Sequence, residues 1–324
     1  MSNKIIIFNV WWAMASFCEL DWKRIIIDRW KKDDFSPTLD FLLPYAKHSN
    51  RNKSLRQTDK YHIDQLIISH PHKDHISDIE NLYKHFYPEF VTTPNDNKWM
   101  ENNEVLNREL FLWNLPIDKT VQFFKDNLVL WRTPPLKAII KWFEIYYIPP
   151  KKIEQEITPI LDYPNNTSLV CIIQIWKWKI LLPWDIMPTW IQRMINNKVT
   201  TIEYWTKTEK SFENAIKKRD VEILIAPHHW LKSAFCTDLM NNIKDTLKLV
   251  IIPEKPTNKD SIREVDNRYY STEFGSGTTI YNYESKLNEQ VQWAIKTSMW
   301  HIIITENNII NIKENKNLMN AFNL

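Results

Sequence analysis

The chain has 324 residues, of which 44% are hydrophobic and 25% charged, and its net charge is +3. This content supports a sizeable core, while the charge is too mild to indicate a nucleic-acid or membrane partner by itself. The cysteines Cys18, Cys171 and Cys236 are odd in number and far apart, which excludes a disulfide framework and favours a reducing compartment. The first apolar run is too short for a signal peptide, and no run is long enough to span a membrane. We therefore expect a cytoplasmic protein.

Apolar periodicity predicts the following elements in chain order. The predicted strands cover residues 5–10, 16–20, 24–28, 65–69, 169–175, 179–182, 223–226, 249–252, 278–281, 291–297 and 301–305. The predicted helices cover residues 76–86, 99–112, 187–195, 209–218 and 237–245. Strands dominate both ends of the chain and helices fall between them, which predicts two sheets with helices outside. We treat residues 1–324 as one domain, with 87–163 as an insertion or a cover over the active site.

Residues 70–75 read His-Pro-His-Lys-Asp-His directly after a predicted strand. Imidazole nitrogen and carboxylate oxygen are ligands that suit zinc and its neighbours. His70 and His72 are two residues apart and point the same way in an extended segment. Asp74 and His75 follow where the chain must turn, so they can face a second position. The alternative is a polar loop that happens to contain several histidines, and four residue types at fixed offsets disfavour it.

Two later strand ends also carry metal-ligand types. Asp185 follows the predicted strand 179–182, and the pair His228 and His229 follows the strand 223–226. Taken alone, Asp185 is more typical of a helix cap or a turn. Along the chain, the three strand ends carry first the 70–75 cluster, then Asp185, then the pair of histidines. Together they are a far more specific signal for a metal site than any one of them.

The chain contains only two glycines but 16 tryptophans, whereas roughly 20 or more glycines are usual at this length. Several tryptophans stand where chain geometry favours glycine, as at Trp22, Trp30, Trp184 and Trp230. A bulky residue at positive φ costs on the order of 1–3 kcal/mol. Either the tryptophans are native and the turns differ, or glycine codons have been changed or read as tryptophan. The positions favour the second interpretation, and the coding DNA distinguishes the two.

The residues resemble the metallo-β-lactamase-fold hydrolases, and most of all the hydrolase domain of ComEC-type competence proteins and their soluble relatives. The resemblance runs from the start of the chain to about residue 240. Its motifs are the His-x-His-x-Asp-His cluster, "IIDxG" at 25–30, "NxxSLV" at 165–170, "LLTGD" at 181–185 and "HHG" at 228–230, with Trp in place of Gly.

This resemblance implies an α+β fold, the four-layer αββα sandwich, with a metal site at one edge. His70 and His72 would hold a first ion. Asp74, His75 and one of the pair, His228 or His229, would hold a second, with Asp185 bridging. Zn²⁺ is expected, as one or two ions, with Mn²⁺ as the alternative. A hydroxide on the metal would be the nucleophile, oriented by Asp74. Residues for substrate contact or ligand support are His229, Asn165, Ser168, Lys232 and Ser233.

The implied function is a metal-dependent hydrolase acting on phosphodiester or nucleic-acid substrates. The same metal core also serves hydrolases of small esters, lactones or thioesters, and a catalytically silent binding protein is the third hypothesis. Two departures from the family pattern bear on activity. Trp184 and Trp230 flank the expected ligands, and Leu231 replaces the serine that usually follows "HHG". The oligomeric state stays open.

Overall fold

The computed structural model describes most of the chain outside the stretch between residues 93 and 162. The described residues are 3–10, 14–29, 31–49, 59–70, 73–92, 143–148, 163–166, 168–203, 206–217, 220–227, 234–253, 267–270 and 272–323. Most of the proposed insertion at 87–163 lies outside these ranges. Its described residues are 87–92 and 143–147, which are strands, together with residue 148 and residue 163, where a short helix begins.

Strands provide most of the regular structure in the described residues. They are β1 Lys4–Ile7, β2 Ala15–Leu20, β3 Lys23–Arg29, β4 Tyr61–Ile67, β5 Phe86–Thr92, β6 Phe143–Tyr147, β7 Val170–Ile175, β8 Trp178–Leu182, β9 Lys198–Glu203, β10 Thr206–Ser211, β11 Ile223–Ile225, β12 Leu249–Ile252, β13 Thr278–Asn282, β14 Leu287–Val291, β15 Ala294–Lys296, β16 His301–Thr305 and β17 Ile309–Ile312.

These strands form two mixed sheets. The nine-stranded sheet has the order β14-β13-β17-β16-β1-β2-β3-β4-β5, and the eight-stranded sheet has the order β10-β9-β6-β7-β8-β11-β12-β15. Both sheets contain an antiparallel hairpin, β2–β3 or β7–β8, whose second strand continues into parallel pairing with β4 or β11. The carboxyl ends of these parallel strands therefore lie at one edge of each sheet, with the hairpin turn at the opposite edge.

The helices are short, and most of them pack on the outer faces of the sheets. They are α1 Leu43–His48, α2 Lys73–Ile76, α3 Ile79–His85, α4 Tyr163–Asn166, α5 Pro188–Asn196, α6 Phe212–Lys217, α7 Thr237–Ile243 and α8 Leu318–Phe322, with a π-helical turn at Pro37–Leu42 and 3₁₀ turns at Asn267–Tyr270, Thr272–Phe274 and Asn315–Asn317. In the described part of the chain, no helix combines the length and apolar character needed to cross a membrane.

Three clusters of buried side chains hold the fold together. One contains Ile27 and Cys18 of the nine-stranded sheet together with Cys171 and Ile180 of the eight-stranded sheet, so the sheets pack on each other. The second joins the other face of the nine-stranded sheet to α1, α3 and α8. The third joins the other face of the eight-stranded sheet to α5, α6 and α7. The expected α+β class, with two sheets and outer helices, is confirmed at this level.

Most predicted strands are present, with ends shifted by a few residues. Two predictions were wrong in part. The predicted helix 209–218 begins only at Phe212, because residues 206–211 pair with β9 as a polar strand. The predicted strand 291–297 is broken after Val291, and the following strand Ala294–Lys296 pairs in the other sheet. The predicted helix 99–112 lies outside the described residues.

Three of the tryptophans that the structure describes adopt the backbone conformation that favours glycine. The φ angles of Trp22, Trp176 and Trp184 are 67°, 50° and 55°, in the left-handed region that costs L-residues about 1–2 kcal/mol. Trp22 and Trp176 occupy the turns of the β2–β3 and β7–β8 hairpins and are 66% and 72% exposed. Trp184 is 3% exposed. These angles support the interpretation that glycine belongs at such positions, and sequence reasoning had not singled out Trp176.

Candidate metal centre

The centre of the candidate site is a buried carboxylate, Asp28, at the end of β3. Its Oδ1 accepts a hydrogen bond from the Ser69 N–H at 2.7 Å, and its Oδ2 accepts one from the Ser69 hydroxyl at 2.7 Å. Oδ2 also lies 2.6 Å from His75 Nδ1. All three residues are 0% exposed. Asp28 therefore ties the end of β4 to the short helix α2 that carries His75.

These contacts select the ring nitrogens that face the centre. Because a carboxylate only accepts hydrogen bonds, His75 Nδ1 carries the proton and Nε2 keeps its lone pair. The Ser69 hydroxyl, which donates to Asp28, lies 3.1 Å from His70 Nδ1 and accepts from it. Both imidazoles therefore present Nε2, the arrangement in which a carboxylate or hydroxyl orients a metal-binding histidine.

Asp185 brings the eight-stranded sheet into the same place. It follows β8, is 3% exposed, and its Oδ2 lies 3.8 Å from His70 Nε2 and 3.5 Å from His75 Nε2. Ligand atoms of His70, His75 and Asp185 all lie within 4.8 Å of one another. Two ligands of one tetrahedral zinc are separated by about 3.3 Å. The three side chains are thus spaced to hold a divalent ion.

Burial and hydrogen bonding oppose each other at Asp28. Burial raises the pKa of the Asp28 carboxyl above its ordinary value, while His75 and Ser69 act to lower that pKa. Asp28 also has a φ of 49°, a conformation that Asp tolerates better than most residues. In the sequence, Asp28 stands out only as part of the "IIDxG" motif, which predicts no role for it. An acidic residue after the apolar run Ile25–Ile27 was the available signal.

Trp184 lies directly before Asp185 and is buried in the core between the sheets. Its ring centroid is 6.4 Å from that of His75, at an interplanar angle of 77°. Its φ of 55° means that the turn delivering Asp185 has the left-handed geometry of glycine while carrying a large side chain. The end of β8 that carries Asp185 therefore combines a strained backbone with a large buried side chain beside His75.

The remaining predicted site residues divide into two groups. Asn165 and Ser168 are buried, and the Leu169 N–H donates to Ser69 O at 3.1 Å, which places their segment beside His70. His72, His228, His229, Lys232 and Ser233 lie outside the described residues, as does the side chain of Asp74. Their predicted roles stay predictions.

The histidines given no role have other environments. His301 is buried, accepts from the Asn9 N–H at 3.0 Å and lies 2.7 Å from Asn315 Oδ1. Burial lowers the pKa of His301 to about 4, so this side chain is a neutral member of the core. His48 is exposed on α1.

A second group of metal-ligand types, His62, Asp64 and Glu89, lies on β4 and β5. The Lys23 ammonium donates to Asp64 Oδ1 at 2.8 Å, and the Arg24 N–H donates to Oδ2 at 2.9 Å. His62 Nε2 is 3.6 Å from Asp64 and 3.8 Å from Glu89. Because a lysine already supplies the positive charge, this group is explained as a surface ion-pair network.

Comparison with known proteins adds no family assignment. No protein-family model matches the chain, and no curated protein sequence matches it at a significant level.

Proposed function

We propose that this protein is a metal-dependent hydrolase that acts on phosphodiester or nucleic-acid substrates. The observation that carries the proposal is the convergence of His70, His75 and Asp185 within 4.8 Å. His70 follows β4, His75 lies on α2, and Asp185 follows β8 of the other sheet. The orientation of both imidazoles by Asp28 and Ser69 supports it, since metal-ligating histidines depend on such partners.

Within this proposal, each described side chain has a stated task. His70 and His75 offer neutral imidazole nitrogen, and Asp185 offers a carboxylate between them, which together suit Zn²⁺ with Mn²⁺ as the alternative. His72, Asp74 and His228 would complete one or two ion positions, with Asp74 orienting the attacking water. A divalent ion bound here would lower the pKa of water and neutralise charge on the attacked group. Asp28 would hold His75 in place through each turnover.

The architecture supports the same proposal. Two mixed sheets that pack together, with helices on both outer faces, fit the four-layer αββα sandwich of metallo-β-lactamase-fold hydrolases. The proximity of His70, His75 and Asp185 at one edge of the sheets supports a metal site where the resemblance would put it.

Two other functions make use of the same centre. Small esters, lactones or thioesters are hydrolysed by the same metal core. A silent binding protein is favoured by one specific observation, the buried Trp184 at the turn that delivers Asp185. The phosphodiester preference rests on the resemblance of the motifs.

Metal analysis of the purified protein, combined with three substrates, tests the proposal. The substrates are a bis-aryl phosphodiester, a nucleic acid and a lactone. We expect one or two equivalents of metal and hydrolysis of the phosphodiesters, both lost in His75→Ala and Asp185→Asn. Exposed residues of the same types provide the matched controls His48→Ala and Asp245→Asn, which should retain both properties.

The outcomes separate the three functions. Turnover of the lactone alone would select the small-ester hydrolase. Metal without turnover of any substrate, or no metal at all, would reject the hydrolase in favour of the silent binding protein.

A further inference from the structure

An unexplained set of polar side chains adjoins the candidate metal centre. Asn165 Oδ1, Asn166 Oδ1 and Ser168 Oγ are buried and have no hydrogen-bond partner among the residues that the structure describes. The three residues are 6%, 1% and 0% exposed. Buried polar atoms are nearly always paired, so three orphans within four residues require an explanation.

The position of this segment indicates what is missing. The Leu169 N–H donates to Ser69 O at 3.1 Å. Ser168 directly precedes Leu169 and His70 directly follows Ser69, so this hydrogen bond holds their two segments side by side. A second backbone bond, from the Ser168 N–H to Asn165 O at 3.0 Å, closes the segment into a turn. The unpaired oxygens therefore belong to a tight turn held against the residue that orients His70.

The chemistry of the atoms favours a cation over an anion. All three orphan atoms are oxygens with free lone pairs, and an amide or hydroxyl oxygen is a neutral, hard ligand that suits Mn²⁺ and Mg²⁺ better than thiolate-binding ions. The carboxylate of Asp185, whose Oδ2 lies 3.8 Å from His70 Nε2, already favours a cation at this edge of the sheets.

We propose that the turn 165–168 supplies the oxygen side of the coordination shell of the ion held by His70, directly or through water bound to the ion. This inference rests on the proposed metal-dependent function and extends it to metal selectivity. A shell that combines imidazole with neutral oxygen favours Mn²⁺ relative to Zn²⁺ more than an all-imidazole shell does. We therefore expect the ion at His70 to be a harder ion than an all-imidazole shell would select.

Metal titration of the full chain tests the inference, with MnCl₂ followed by electron paramagnetic resonance and ZnCl₂ followed by calorimetry. In Asn166→Ala/Ser168→Ala we expect the Kd for Mn²⁺ to rise by about 10-fold or more, and the Kd for Zn²⁺ to rise less. The matched control is Asn197→Ala/Ser285→Ala, which removes the same side chains from exposed positions and should change neither Kd.

Stability of the metal-free protein separates a ligand role from a structural one. Removing polar atoms that have no partner leaves the apo protein as stable as before or more so, so its Tm should not fall. A structural role would instead lower the apo Tm. The variant Asn166→Asp adds a charged oxygen and should tighten Mn²⁺ binding; weaker binding in this variant would contradict a cation site.

Failure of this inference is distinguishable from failure of the proposed function. If the wild-type chain binds Mn²⁺ and Asn166→Ala/Ser168→Ala binds it equally well, the turn is not part of the shell and the metal centre stands. If the wild-type chain binds neither ion while His75→Ala is equally folded, both are overturned.

Discussion

The two edges of the sheets carry the same backbone anomaly in opposite surroundings. At the hairpin edge, Trp22 and Trp176 have positive φ and side chains that extend into solvent. At the ligand edge, Trp184 has the same kind of φ but its indole is buried 6.4 Å from the His75 ring. Backbone strain is present at both edges. Of these three tryptophans, Trp184 alone lies beside a candidate metal-binding residue. Substitutions at Trp22 and Trp176 therefore measure the effect of tryptophan on stability alone, whereas a substitution at Trp184 also measures its effect on the candidate site.

The largest expected effect comes from a tryptophan without this anomaly. Trp178 lies two residues from Trp176, is 5% exposed and has Lys177 and Lys248 over its ring at 4.5 and 5.5 Å. Trp178→Gly should lower the free energy of unfolding by about 3–5 kcal/mol, because it leaves a cavity between the sheets. Urea denaturation measures this change. An unchanged midpoint would mean that the indole packs loosely.

At the hairpin edge the same substitution should have the opposite sign. Trp22→Gly and Trp176→Gly each relieve a left-handed φ while removing an exposed side chain, so each should stabilise the fold by about 1–2 kcal/mol. The two turns are independent, so the effects should add in the double variant. Destabilisation by either change would show that the indole makes contacts worth more than the strain.

Trp184→Gly combines the two effects. Loss of the buried indole should lower the free energy of unfolding by about 3–5 kcal/mol, and relief of the positive φ should raise it by about 1–2 kcal/mol. The net destabilisation should therefore be smaller than that of Trp178→Gly. Metal content should nevertheless rise, and more so together with Trp230→Gly. Metal analysis and hydrolysis rates of this pair against the parent check the prediction. Equal metal content and equal rates would remove crowding as an explanation.

Asp28→Asn should weaken metal binding by about 10- to 100-fold, because the amide no longer fixes the tautomer of His75. Asp28 does not itself contact the expected ion, so stoichiometry at saturating metal should be preserved. Calorimetric titration of the variant, with Asp245→Asn as the exposed control, measures the shift. If Asp28→Asn binds metal as tightly as the parent, Ser69 alone is sufficient to orient His75.

The smallest expected effect is at the ion-pair network on β4. Burial alone would raise the pKa of Asp64, but His62, Lys23 and the Arg24 N–H hold it at about 2. This stabilisation is present above the ordinary pKa near 3.9 and is lost as the pH falls through about 2. Because Lys23 is half exposed, the contribution is on the order of 1 kcal/mol. Asp64→Asn should therefore be less stable than the parent at pH ~5 and equal to it near pH ~1, as measured by urea denaturation.

The sequence predicted the parts of the fold that local apolar pattern controls. The runs at β3, β4 and β12 were readable because buried strands of a mixed sheet are nearly continuous in Ile, Leu and Val. The end of β10, residues 209–211, was predicted as helix, because β10 at Thr206–Ser211 is mostly polar and its strand state depends on pairing with β9. Pairing is a long-range property that periodicity does not contain.

The sequence predicted some residues of the candidate site but not the contacts between them. His70, His75 and Asp185 stood out as ligand types at strand ends, and they lie together. Asp28 was missed because its partners Ser69 and His75 are 41 and 47 residues away along the chain. The unpaired oxygens of the turn at 165–168 also required coordinates, since a missing hydrogen bond leaves no trace in the sequence.

The positive φ angles of the tryptophans have a consequence for how the protein is produced. If the codons at these positions are read as glycine in the cells of origin, a laboratory host that inserts tryptophan makes a different molecule from the same gene. That product would carry strained turns and a crowded ligand edge, and its poor metal binding would report the translation system of the host. Synthesis of the coding sequence with glycine codons at positions 22, 176 and 184 should then precede any assay.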